Sequence, residues 1–389
     1  MVAYPAPNIE PIVPAIEPED AALPASAPRL TSLDAFRGLT IAAMILVNNP
    51  GSWDHVYTPL VHADWNDWTL ADLVFPFFLF IVGVAITFSL GAARDVGRPH
   101  GESLRRIVRR TALLFAIGIA LNTAEGFGGF ATLRIPGVLQ RIAICYLAAS
   151  LLFLVTGPRS QLVLAGLLLA VYALVLAFVP VAGHRPGWLD PDNNPAAYLD
   201  RLLLGEGHLY HSTWDPEGIL STLPAIATTL GGVLAGHWLR GRRDPRRTSL
   251  GMAAVGIAVA AAGLVLDRWM PINKNLWTST YAVFTAGCAL MLLAACYWLV
   301  DVKGHRRAVL PLVVFGVNPI AVYILSMVGG ALLEVVTIGD DNLRTIICDT
   351  LFSSWASPRA TSLLFALTYV AAWLAVMSVL YRKRIFIKI

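Results

Sequence analysis

Residues 60–83 read LVHADWNDWTLADLVFPFFLFIVG. A polar, aromatic loop carrying His62 runs without a linker into an apolar segment that continues to about residue 92. Such a segment is long enough to cross a bilayer core, which takes about 20 helical residues. Working outward, similar segments recur along the whole chain. Mean hydropathy is +0.65, and 57% of the residues are hydrophobic against 14% charged. A soluble domain carries roughly a quarter charged residues, so the composition excludes that class. The fold class that follows is all-α: a polytopic membrane protein.

The apolar segments place about ten spans, at 33–50, 69–92, 108–124, 138–156, 162–182, 218–239, 249–267, 279–299, 309–331 and 361–381. An eleventh has room in 332–360, although NLRTIICDTLF there reads better as an amphipathic interfacial helix. Lys and Arg set the orientation. One series of loops holds nineteen of them, from Arg94 to Lys388, and the alternate series only seven, Arg134, Arg185, Arg201, Arg268, Lys274, Arg344 and Arg359. The positive-inside rule then puts both termini in the cytoplasm and the His62 loop on the far side. This asymmetry accounts for the pI near 8.9 and net charge of +4 as topology, so no nucleic-acid partner is expected. Residues 1–28 hold seven prolines with Glu10, Glu17, Glu19 and Asp20 and lack the features of a signal peptide. They read as a disordered cytoplasmic tail, residues 29–389 as one membrane domain, and the first span as an uncleaved anchor. Cys145, Cys288 and Cys296 lie in apolar runs and Cys348 stands alone, with no zinc or redox spacing. Gly232 and Gly236 form a GxxxG suited to helix packing or to a dimer.

Polar groups at the ends of spans are the candidates for chemistry. An imidazole titrates near neutrality and can move a proton or accept an acyl group. His62, flanked by Trp65 and Trp68, therefore reads either as a reactive group at the membrane surface or as part of an interfacial aromatic belt. Asn48 and Asn49 end the first span, where an amide orients an imidazole or donates to an oxyanion, or simply stops a helix before Pro50 and Gly51. Thr69 and Asp72 form an [ST]-x-x-[DE] capping pattern, and Asp72 is also placed to orient His62. Asp34 and Arg37, three apart on one helix face, read as a neutralising pair whose guanidinium can also hold a phosphate. Arg134 and Arg141 flank GVLQ and suit snorkelling or an anion. Asp215 and Glu217 precede the sixth span, while Asn273, Lys274, Asn275 and Trp277 precede the eighth. These groups fall on the His62 side and suit a sugar. His208 and His211 are three apart but have no carboxylate cluster beside them, so no metal is expected. The His-x4-Asp spacing of His62 and Asp67 is taken as coincidence, and no Walker A, Rossmann, HExxH or GxSxG motif is present.

From residue 29 onward the chain resembles bacterial members of the heparan-α-glucosaminide N-acetyltransferase family of transmembrane acyltransferases. The resemblance rests on SLDAFRGL at 32–39, VNN at 47–49, HADWNDWTLADLVFPFFLFIVG at 62–83 and GVLQRIAICY at 137–146. It continues with DPEGILSTLPAI at 215–226, PINKNLWTSTY at 271–281, DVKG at 301–304 and FGVNPIAVYI at 315–324. The resemblance implies cytosolic acetyl-CoA as donor, an amino sugar on the far side as acceptor, an inner-membrane location and a homodimer. It implies His62 as the active-site histidine and Asn48 as its partner; from the residues themselves, Asp72, Asp34 and Arg37 are expected in support, and Arg37 and Arg141 as the coenzyme A anchors. The family often has Gly where Asp67 stands, and the stretch between Asn48 and His62 is longer here. Heparan itself is not the expected acceptor. An amino-sugar transporter is the alternative reading, weakened because no inverted repeat is found.

Overall fold

The computed structural model describes residues 30–387 except 125–128, 130, 131, 182, 242 and 243. The expected tail 1–28, together with Arg242, Arg243 and Lys388 of the basic loops, lies outside the described residues. The rest is nearly all helix. In chain order come α1 Thr31–Asn48, α2 Val74–Asp95, α3 His100–Ala124, α4 Val138–Val155, α5 Pro158–Phe178 and α6 Pro195–Leu204. They are followed by α7 Thr222–Arg240, α8 Pro245–Leu266, α9 Ser279–Tyr297, α10 Leu310–Val317 and α11 Pro319–Val335. A two-residue hairpin of β1 Thr337–Ile338 and β2 Asp341–Asn342 leads to α12 Leu343–Cys348 and α13 Pro358–Arg382.

Each of the ten expected spans coincides with a helix or helix pair. By length and apolar content, six described helices suffice to cross a membrane, or seven if α10 and α11 count together. The expected number was about ten. The difference lies in α1, α3 and α7. α1 carries Asp34, Arg37 and Thr40, and α3 opens on a basic stretch helical from His100, where Glu102 pairs with Arg98 at 3.6 Å and Arg106 at 3.4 Å. α1 and α7 have more than half of their residues buried, so their surroundings are other helices, and polar side chains there meet protein rather than hydrocarbon. By contrast only 17% of the apolar window of α13 and 22% of that of α5 is buried, against 56% for α2 and α4. The former are the lipid-facing rim.

Two corrections concern the last third. The span expected at 309–331 is not one helix: α10 and α11 meet at Asn318 with an 86° bend. Pro319 has no N–H to continue α10 and biases Asn318 away from the helical region. Asn318 instead turns its amide to the C-terminal chain, donating to the Ile385 carbonyl at 3.0 Å and accepting from Ile387 N–H at 2.8 Å. The Asn-Pro dipeptide was a legible breaker signal. In 332–360, α12 has six residues and continues only as a π-turn over Asp349–Ser353, too short for an eleventh span.

Close approach of backbones holds the centre together. A methyl on Gly83 of α2 would overlap the carbonyl oxygen of Thr229 on α7, and one on Gly232 would overlap that of Phe80. The GxxxG glycines thus face α2 of the same chain, with Gly236 against Thr87. The same device joins α1 to α10, where Gly38 abuts the Leu312 carbonyl and Gly316 abuts Asp34. α11 climbs beside α1 from the level of Arg37, which donates to the Gly316 carbonyl at 3.1 Å, to Asn49, whose amide meets Gly330. Between α1, α2, α4 and α11 the packing leaves room.

Candidate active site

The loop from α1 to α2 is held at both sides. Gly51 and Ser52 donate their N–H groups to the carbonyl and hydroxyl of Ser362 on α13, both at 3.1 Å. Farther on, Trp65 donates to the Leu189 carbonyl at 2.8 Å, and Asn273 and Asn275 reach Asn66 and the Asp64 carbonyl at 3.2 and 3.3 Å. Between these anchors Asp67 holds a φ of 73°, a region glycine enters without cost. His62 sits on the stretch so fixed.

Its partner is Asp72, wholly buried at the start of α2. His62 Nδ1 lies 2.8 Å from Asp72 Oδ1. Oδ2 accepts from the N–H groups of Ala63 and Thr69 at 3.1 and 2.9 Å and from the Thr69 hydroxyl at 3.2 Å. The capping reading and the orienting reading of Asp72 therefore hold together, one oxygen for each. The first turn is a 3-10 turn over Ala71–Leu73, and Tyr281 buttresses it by donating its hydroxyl to the Asp72 carbonyl at 2.5 Å. An ionised carboxylate only accepts, so Nδ1 carries the hydrogen, and in the neutral ring the lone pair is on Nε2.

Two cavities adjoin His62, and a third adjoins the first of them. The first, of about 320 Å³, is lined by His62, Asn48, Glu217 and Lys274 among apolar residues including Met44, Phe75, Phe78, Leu139 and Ile320. Asn48 faces it, whereas Asn49 is buried and donates to the Ile45 carbonyl at 3.0 Å. The second, about 520 Å³, shares His62, Glu217, Lys274 and Tyr323 and adds Asp64, Arg134, Gln140, Tyr210, His211, Trp214 and Asn275. The third, about 310 Å³, shares Phe78, Leu139, Ile142 and Ile320 with the first and extends to Arg37, Arg110, Tyr146 and Pro319. Together they run from the Arg37 end of α1, past the His62–Asp72 pair, to the polar loops at the opposite end.

Arg134 organises those loops. Its Nε and Nη2 grip Asp215 at 2.8 Å each, Nη2 also reaches Glu217 at 2.6 Å, and the guanidinium lies 4.5 Å from the Tyr210 ring centre. Burial works against its charge, but the two carboxylates outweigh this and raise its pKa. Asp215 further accepts from the N–H groups of Tyr210 and Glu217, both at 2.9 Å. This network sets Glu217 at the wall between the first and second cavities. The Lys274 ammonium lies 3.4 Å from Asp72 Oδ1. Burial lowers its pKa, and Asp72, then Glu217, pull the other way.

Of the sequence-predicted residues, the structure brings His62, Asn48, Asp72, Glu217, Lys274 and Asn275 to this site and separates others from it. Asp215 and Asn273 are buried members of turns. Trp277 is 1% exposed, with its indole N–H directed to Thr228 Oγ1 at 3.3 Å. Arg141 is also 1% exposed. It donates to the Gly218 carbonyl at 3.1 Å and to the Ser221 hydroxyl, 5.1 Å from the Trp277 ring centre. It lines none of the three cavities and stands at the His62 end of α4, away from Arg37. Asp34 pairs with Arg37 at 3.0 Å at the mouth of the third cavity. Arg110, Tyr210, Trp214 and Gln140 were not singled out from the sequence, and Arg134 was noted only as a snorkelling or anion-binding residue. Their approach to the site depends on helices far apart in the chain. Among the described residues no group of three or more His, Cys, Asp or Glu is placed to hold a metal.

A sequence model described as the catalytic region of heparan-alpha-glucosaminide N-acetyltransferase matches residues 29–269. The mouse heparan-alpha-glucosaminide N-acetyltransferase is 29% identical across 94% of this chain, and the human protein of that name is 32% identical across 79%. The chain spans 61% and 54% of the lengths of those two relatives. The matched region takes in α1 to α8 and the whole His62 loop, and the chain accordingly belongs to the heparan-alpha-glucosaminide N-acetyltransferase family.

Proposed function

We propose that this protein is a transmembrane acetyltransferase. It moves an acetyl group from cytosolic acetyl-CoA to the amine of an amino sugar on the periplasmic side of a bacterial inner membrane. The observation that carries this reading is the row of three neighbouring cavities with shared walls, two of them lined by His62, whose Nδ1 is held by Asp72. The membrane domain from residue 29 crosses the bilayer about ten times, with both termini cytoplasmic and the His62 loop periplasmic, and works as a homodimer.

Coenzyme A is polyanionic and does not cross hydrocarbon cheaply. In this reading Arg37 and Arg110 hold its phosphates at the cytoplasmic mouth, where a guanidinium binds such oxygens bidentately. From Arg37 to Asn48, α1 climbs about 16 Å at ~1.5 Å per residue, within reach of an extended phosphopantetheine arm. Arg141, sealed beneath the Gly218 turn, takes the role of bracing the loop that carries Glu217. At the far end Tyr210 and Trp214 offer ring faces to a sugar, Asn275 bonds a hydroxyl, and Glu217 receives an ammonium group.

His62 acts in one of two balanced ways. As nucleophile, Nε2 bonds to the thioester carbon, the C–S bond breaks and the thiolate leaves. The amine then attacks the acetyl carbon, the bond to Nε2 breaks, and the proton shed by the amine passes to the freed imidazole. As general base, Nε2 takes the amine proton while the amine attacks the thioester carbon directly, the C–S bond breaks and the thiolate leaves. In both, Asp72 stabilises the imidazolium and Asn48 donates to the tetrahedral oxyanion. The test is transfer of labelled acetyl from acetyl-CoA to glucosamine by purified protein, with His62→Ala alongside. Transfer lost in the variant while coenzyme A still binds is the expected result. Absence of both binding and transfer in the wild type overturns the reading in favour of a transporter.

A further inference from the structure

Lys274 and His62 converge on a single oxygen. Asp72 Oδ1 receives His62 Nδ1 at 2.8 Å and the Lys274 ammonium at 3.4 Å. The other oxygen is occupied by Ala63 and Thr69. Lys274 belongs to the loop before α9, and only 17% of its side chain is exposed. Burying an ammonium is costly unless it meets an opposite charge, and the charge it meets is the one that orients the histidine. We propose that Lys274 is a positioning residue that sets the charge of the His62–Asp72 pair. Its ammonium balances the carboxylate, so that His62 is oriented by Asp72 while staying uncharged. This inference rests on the acetyltransferase reading for its consequence, because only an uncharged imidazole accepts an acyl group or a proton.

The physical argument is one of charge. A carboxylate against an imidazole ordinarily favours imidazolium. A cation on the same oxygen offsets that preference: the three groups sum to zero when the imidazole is neutral and to +1 when it is protonated. The other ionisable groups facing His62 are Asp64 on its own loop, Glu217 before α7, Arg134 before α4, Tyr210 and His211 across the second cavity and Tyr323 on α11. Arg134 is engaged by Asp215 and Glu217, so its charge is largely spent there. Lys274 is the cation in direct contact with the pair.

The experiment follows two quantities in detergent-purified protein: the pH dependence of kcat/KM, and the pH dependence of His62 carbethoxylation by diethyl pyrocarbonate, read by mass spectrometry of the His62 peptide. The reagent attacks neutral imidazole. In Lys274→Gln, which keeps a donor without its charge, both midpoints move up by about one pH unit, for a charge within ~6 Å of a half-exposed group. Lys274→Arg returns both to the wild-type position, and Lys274→Met repeats the shift if the Gln variant does not fold. Unchanged midpoints with a uniformly lower rate overturn the proposal and leave Lys274 as a substrate contact. If wild-type protein transfers no acetyl, the acetyltransferase reading fails separately, and the carbethoxylation midpoint alone decides the role of Lys274.

Discussion

Replacing Asp72 by Asn separates orientation from mere contact at the His62 site. The carboxamide has one accepting atom and one donating atom where the carboxylate has two acceptors. If its oxygen replaces Oδ2, it keeps the N–H groups of Ala63 and Thr69, and its NH2 faces His62 Nδ1 and the Lys274 ammonium. If it is turned the other way, two half-buried backbone N–H groups lose their acceptor, at about 1 kcal/mol each. The first arrangement therefore prevails. It converts His62 Nδ1 into an acceptor and places the ring hydrogen on Nε2, the atom that must remain free. The comparable inversion in a serine-protease triad costs about 10⁴ in kcat. Here half of the His62 side chain is exposed (46%), which eases ring reorientation, so the expected loss is about 10³-fold. The assay is steady-state transfer of labelled acetyl, with coenzyme A affinity measured in parallel and expected to stay within about threefold. A kcat within about tenfold of wild type, or a loss confined to donor affinity, would falsify the assignment of tautomer control to Asp72.

Other outcomes follow from the same geometry. Arg134→Met strands the buried Asp215 and Glu217 carboxylates and lowers stability by about 3–5 kcal/mol, measured as a fall in Tm; Arg134→Lys, lacking the two-pronged fork, recovers only part. Asp200 on α6 is 1% exposed and accepts from Ile219 N–H at 2.8 Å; burial first, with nearby Asp215 adding to it, pushes its pKa up to about 7 against the Ile219 bond, Arg141 and Arg201. Its folded pKa lies above the unfolded value of about 3.9, so its contribution is full below pH ~4 and is lost as pH rises through ~7. Asp200→Asn should therefore flatten the decline of Tm between about pH 4 and about pH 7, and an unchanged slope would count against the assignment. Gly83→Leu forces α2 from α7 and should cost several kcal/mol, on the order of 3 or more. Exposed Gly157, where added atoms meet nothing, should accept Ala with little change in Tm.

The apolar runs made most helix positions legible, because hydrocarbon permits few ways to satisfy a backbone. What separates the ten expected spans from the six or seven that length and apolar content support is chemistry rather than position. α1 and α7 hold Arg37 and a row of threonines where other helices supply the surroundings, α3 opens on a charged stretch, and composition cannot distinguish a helix wrapped by protein from one wrapped by lipid. The bend at Asn318 was written in its Asn-Pro dipeptide, yet the flanking apolar residues read as one run. α6 was not anticipated: at ten residues, it is short and lies in a loop of mixed character.

At the site, local motifs identified His62, Asn48 and Asp72, since loop, capping pattern and helix start are neighbours in sequence. Glu217, Lys274 and Asn275 were drawn in by their shared side of the membrane. Asp215, Asn273 and Trp277 stood in the same motifs but turned out to build the walls rather than line the cavities. Apolar runs and contiguous motifs are one-dimensional properties, and they sufficed for an all-α membrane protein, its family and the nearness of His62 to Asp72. Which distant charged groups meet emerged from the folded chain: Arg134 with Asp215 and Glu217 across 81 and 83 residues, and Lys274 with Asp72. Coulombic and hydrogen-bond energies depend on distance in space, and nothing in the linear spacing of those residues encodes it.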